Sequence, residues 1–255
     1  MKKYKILPFI AVICGIAGSI LRHLQLETGF DDQGLAINGN FYSIVLVILS
    51  LLLAASFVLL MAKCKFSMAE ENGISNHSDS AAFISMAFSL AGALCLIAGA
   101  LISIMKYSRG LLGQLEGLIY PATLLITAFC VLVFSMSAYK GKDLGKSGTA
   151  AVLPIFFTCF WLVIYYRSNA ANPVLYDYIY QLMAIIFGAL AMFYHVGTLF
   201  GRSRPKRSLF CQCMCVFFCL TIQLEPMSVT YKLMYVFLML YSLSCAFAPF
   251  KSATE

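Results

Sequence analysis

Four sets of residues in this chain are of types that do chemistry. Asp177 and Gln181 stand four positions apart, which on a helix places a carboxylate and an amide on one face. Such a pair can line a polar vestibule, or the acid can simply sit near a helix N-terminus, where the helix dipole favours it. His195 shares that face, but the helical rise separates it from Asp177 by about 27 Å, so the two form no acid–base dyad. "CQCMCVFFC" at 211–219 sets Cys211, Cys215 and Cys219 in one stripe, with Cys213 turned elsewhere. Thiolates bind soft metals such as Cu(I). A straight stripe converges poorly on one ion, however, and the paired C-x-x-C of a zinc site is absent. These cysteines read as small apolar filler. Lastly, "LQLETGFDDQGLAINGNFY" at 24–42 gathers Glu27, Asp31, Asp32, Asn38 and Asn40, hard oxygen donors suited to Ca²⁺. Their spacing is not that of an EF-hand, and "DDQG" and "NG" are strong turn signals. "NG" between "LAI" and "NFY" suits the closing of a small hairpin. Turn formation is the favoured reading, with Asp31 and Asp32 kept as candidates for an outward-facing ligand.

The elements that position these residues are set by composition. Of 255 residues, 61% are hydrophobic and 11% charged, with a mean hydropathy of +0.86. A soluble domain carries about 25% charged residues to wet its surface. A chain so poor in charge must face lipid, so an all-α, polytopic transmembrane bundle is expected, forming a single integral membrane domain over residues 1–255. A spanning helix needs roughly 20 apolar residues. Eight candidates lie near 6–24, 41–61, 82–105, 118–138, 150–166, 174–200, 209–224 and 229–248, the fifth and seventh being short. The first resembles a signal peptide, but its apolar run is long and no A-x-A-like site follows, so a retained helix is expected.

Lysine and arginine set the orientation. With the N-terminus in the cytoplasm, the inner segments hold 13 of the 18 cations; the outer side keeps Arg22, Lys106, Arg109, Arg167 and Lys232. Both termini are therefore expected to be cytoplasmic. This distribution also makes "RSRPKR" at 202–207 a topology signal rather than a nucleic-acid patch. The outward connections hold no cysteine, so disulfides are not expected. His77 stands alone in the long inner connection at 62–80, where Asp79 or Ser80 is placed to cap the third helix.

The even-numbered spans open with Tyr42, Tyr120, Tyr176 and Tyr231, at the interface where tyrosine sits best, giving four up-and-down hairpins. The seven prolines are placed in loops or near helix ends, leaving no marker of the broken helices of many transporters. Small residues recur every fourth position: Ala11, Gly15 and Ser19; Cys95, Gly99 and Ser103; Ala184 and Gly188. They provide seams for helix packing inside the bundle, or a dimer face.

The stretch "LETGFDDQGL", an L-x-T-G-F-D-x-x-G-L pattern between the first two spans, resembles uncharacterised multi-pass membrane proteins of Gram-positive bacteria. The resemblance covers one helix, a loop and the next helix, and implies no activity. No nucleotide loop or metalloprotease helix is present, and no cofactor or metal is called for. The sequence points first to a non-enzymatic accessory, assembly or sensing subunit of the cell membrane. Its partners would be the bilayer, a second copy or another membrane subunit. The alternative is a small transporter for an apolar or lipid-like substrate. A lipid-acting enzyme comes third, with Asp177 and His195 as its residues.

Overall fold

The computed structural model describes residues 6–31, 37, 39–63, 79–110, 119–139, 144–172, 174–200, 202 and 204–247. These residues form eight helices: α1 (Leu7–Thr28), α2 (Phe41–Lys63), α3 (Asp79–Ser108), α4 (Tyr120–Tyr139), α5 (Leu144–Asn169), α6 (Leu175–Leu199), α7 (Pro205–Thr221) and α8 (Val229–Phe247). All but α7 are long and apolar enough to cross a membrane. The chain is a multi-pass membrane protein built as an all-α bundle.

Contacts between helix ends fix the direction of every helix. Gln25 near the end of α1 donates to Ser43 at the start of α2. Ser103 late in α3 meets Thr230 at the start of α8. Tyr120 opens α4 and lies 6.3 Å, ring to ring, from Tyr231; Tyr165 late in α5 lies 6.2 Å from the same ring. At the opposite end, Phe9 of α1 packs on Phe247 of α8, Ser85 of α3 on Ser244 of α8, and Gly148 of α5 under Phe200. Each helix therefore runs opposite to its predecessor, α7 included. The beginning of α1 and the end of α8 lie together at what we term the Phe247 end; the other is the Arg22 end.

α7 has 17 residues, 12 of them buried. It occupies the bundle axis, packed by α1, α6 and α8. A helix screened from lipid by its neighbours need not match the length or apolarity of a lipid-facing span, which is why α7 tolerates Ser208 and Gln212 at full burial. Cys211, Cys213, Cys215 and Cys219 are buried here as free thiols. The Cys215 sulfur lies 3.8 Å from that of Cys219 and from the Ala184 carbonyl. α2 lies at the other extreme, the most apolar and least buried of the seven apolar spans.

The small-residue rows form seams between helices of one chain. A Cβ added to Gly15 would sit 2.7 Å from the Leu220 Cβ, and one on Gly18 would sit 2.6 Å from the Thr221 hydroxyl. α1 thus rides directly on α7. Gly188 of α6 has the same relation to Leu238 and Cys215, and Gly92 and Gly99 of α3 face α8. Close approach gives the van der Waals contact that must hold helices together where lipid removes the hydrophobic drive.

Three boundaries differ by four residues or more from the sequence reading. α1 continues to Thr28, because Arg22 and Gln25 are buried within the bundle instead of leading into a loop. α5 begins at Leu144, so Pro154 lies inside a helix, a correction to the expectation that every proline lies in a loop or near a helix end. Neighbouring helices make such a proline tolerable in a membrane, and the Thr158 hydroxyl donates to the Pro154 carbonyl at 2.7 Å. α7 is shifted four residues earlier at its start, with Pro205 in its first turn, where the missing N–H costs nothing. His77 lies outside the described residues, as do the side chains of Asp79 and Ser80.

Candidate functional site

Burial of an ionisable group within a membrane bundle is costly and marks a functional candidate. Among the described residues, a buried charge pair forms such a centre at the Arg22 end. Arg22 is 1% exposed and Glu225 3%, and the Arg22 Nε donates to Glu225 Oε1 at 2.7 Å. Nη1 donates to Gln25 Oε1 and to the Tyr176 carbonyl, each at 2.9 Å; Nη2 donates to the Asp177 carbonyl at 2.7 Å. The guanidinium carbon lies 5.0 Å from the centroid of the Tyr180 ring, within cation–π range. Only the planar, multi-donor guanidinium can make this set of bonds; a lysine would supply a point charge.

The carboxylate is held from its other side. Gln181 Nε2 donates to Glu225 Oε2, and the Tyr165 hydroxyl donates to Gln181 Oε1. The first turn of α6 brings the Tyr176 and Asp177 carbonyls against α1. Glu225 is presented by the tight connection after α7, where Glu225 N bonds to the Ile222 carbonyl and Met227 N to the Glu225 carbonyl. Burial pushes the Glu225 carboxyl above its usual value, and the Arg22 guanidinium pulls it back only in part. The cluster therefore ties α1, α2, α5, α6 and the α7–α8 connection together through groups that satisfy one another.

The residues singled out by sequence fall in three places. Gln181 belongs to the cluster. Asp177 adjoins it, but by its main chain; its exposed carboxylate accepts from Asn172 Nδ2 at 3.0 Å. His195 lies near the Phe247 end, edge-on to Phe134 and Tyr241, far from both. Asp31 is exposed beyond the end of α1, and Asp32 and Asn38 lie outside the described residues. Glu27 forms a surface pair with His23 at 3.4 Å. Asn40 caps α2 rather than presenting a free ligand oxygen: its Oδ1 accepts from Tyr42 N at 3.0 Å and Ser43 N at 3.2 Å. Its Nδ2 also ties back to the Thr28 carbonyl. Gly39 precedes it at φ +80°, a conformation glycine adopts without strain. Among the described residues, no group of three or more His, Cys, Asp or Glu is placed to hold a metal ion.

On sequence alone Arg22 reads as one of the outer cations, and Glu225 carries no marked role. The available signal was the setting of Glu225: it is the lone acid between Asp177 and Glu255, in a short connection beside Ile222, Leu224 and Met227. Comparison with protein-family models, with curated proteins and with solved structures finds no match.

Proposed function

We propose that this chain is a non-enzymatic subunit of the cell membrane, with both ends cytoplasmic, acting in assembly or sensing through a partner membrane protein. The observation that carries the reading is the position of α7. Its buried residues fill the axis along which a carried substrate would have to pass. Two cavities lined by apolar side chains lie instead beside α8, against α1 and α3. The Arg22 cluster supports the same reading. A buried ion pair is weak as a source of stability, and its best-attested use is to fix register or set a switch. Here it joins the outward ends of several helices, so a contact made at that end is transmitted to α7. The excess of lysine and arginine on the side of the two termini supports the orientation.

Purification of the tagged chain from its native membrane in mild detergent, after brief cross-linking, tests the proposal. The expected outcome is a stoichiometric integral membrane partner that is reduced several-fold when Arg22→Met loosens the outward end. Recovery of the wild-type chain with no such partner, together with solute flux by the pure protein in proteoliposomes, would contradict it.

A further inference from the structure

The hydrogen-bond chain behind the Arg22 pair stops short of α8. Gln181 donates to Glu225, and the Tyr165 hydroxyl donates to Gln181. The Tyr165 oxygen has thus committed its proton and keeps its lone pairs. Tyr165 stands on α5, its ring 6.2 Å from that of Tyr231 on α8. One turn deeper on the same two helices, Trp161 meets Tyr235 at 4.8 Å between ring centroids. Both are 0% exposed, and neither the Tyr235 hydroxyl nor the Trp161 Nε1 has a hydrogen-bond partner. Buried polar groups are nearly always satisfied, by protein or by ordered water. An unsatisfied one is costlier still inside a membrane, where no solvent reaches it.

Unpartnered donors in one buried layer call for an acceptor. Side chains on a helix lean toward its N-terminus, so Tyr235 leans to the Arg22 end, where α8 begins. There its hydroxyl lies within electrostatic reach of Tyr165 and Glu225. The ring spacings in this layer are those of aromatic contact, about 4.5–7 Å. An organic ligand would have to part the rings; a single oxygen would not. A buried water makes about three hydrogen bonds to groups that otherwise lack partners. We propose that a structural water is bound between α5 and α8, accepting from the Tyr235 hydroxyl and the Trp161 N–H and donating to the Tyr165 oxygen. It extends the chain Glu225–Gln181–Tyr165 into α8, which the cluster otherwise reaches only through the connection that precedes this helix. The site is complete within one chain, so it holds with or without a membrane partner.

Radiolytic labelling of the full chain in detergent, read by mass spectrometry, tests this. Radicals formed from a bound water hydroxylate the side chains around it even where bulk solvent has no access. Tyr235 and Trp161 are expected to be labelled several-fold faster than Phe237, which is equally buried on α8. Thermal unfolding supplies a second readout. Tyr235→Phe removes only the hydroxyl oxygen and is expected to lower the melting temperature, because a bridged hydroxyl contributes to folding. The loss in Tyr235→Phe with Tyr165→Phe is expected to fall short of the sum of the two, since both hydroxyls share one water. Removing a hydroxyl that lacks any partner would instead leave the melting temperature unchanged or raise it, and that result would overturn the proposal. So would labelling of Tyr235 no faster than Phe237, or additive losses. The labelling needs no substitution, so it decides the matter even where a variant fails to fold.

Discussion

At the scale of single residues, the Arg22–Glu225 pair makes the sharpest demands. Removing one partner leaves the other charged and buried, at a cost of about 3–5 kcal/mol, whereas replacing both with apolar residues is often far milder. Arg22→Met is therefore expected to lower stability strongly, and Arg22→Met with Glu225→Met to recover much of the loss, as measured by a double-mutant cycle of unfolding in detergent. Additive effects would show that the two side chains do not act together. Titration gives a second expectation. Because the Glu225 carboxyl lies above its usual value in the folded protein, the folded state takes up a proton before the unfolded state does. Glu225 thus favours folding as pH falls from neutral toward the ordinary carboxylate range, and this gain is lost as pH rises through the folded value. The melting temperature should rise on mild acidification, and the part due to Glu225 should vanish in Glu225→Gln. Little of this was legible in the sequence. A cation at the end of an apolar span satisfies both the helix dipole and the orientation rule, and its partner lies 203 residues away. Gln181 was legible as a candidate because local spacing sufficed to place it on a face with Asp177.

At the scale of elements, hydropathy located the helices but not their depth. α7 was marked in the sequence as a short span rich in cysteine. Its central position follows from packing that no local pattern encodes, since its neighbours come from α1, α6 and α8. The small-residue rows were legible as seams because their spacing follows the helical repeat, although not which helix each would meet. Two glycines separate the roles of packing and backbone. Gly15→Ala places a methyl group 2.7 Å from the Leu220 Cβ and is expected to cost about 1–3 kcal/mol by overpacking, part of which Leu220→Gly, which removes that Cβ, should restore. Gly39→Ala meets no atom within 4 Å but keeps a φ of +80°, so its cost of about 1–2 kcal/mol should persist in the Leu220→Gly background. Thermal unfolding of the four variants distinguishes the two mechanisms.

For the whole molecule, the organising feature is the return made by α7, which runs opposite to α6 and α8 within the bundle. Seven long apolar helices taken alone would put the chain ends on opposite sides of the membrane. The short, buried α7 returns the chain once more, so the end of α8 lies beside the start of α1, and the Arg22 cluster, which includes Glu225 after α7, follows from that return. The bundle class was legible from composition, because a chain with 11% charged residues can wet so little surface. The most direct test is a set of topology reporters fused after Arg202, within the α7–α8 connection beside Glu225, and after Glu255. The account predicts cytoplasmic signals from the first and last and an external signal from the middle one. A cytoplasmic signal beside Glu225 with an external signal after Glu255 would contradict it, by showing that α7 does not cross.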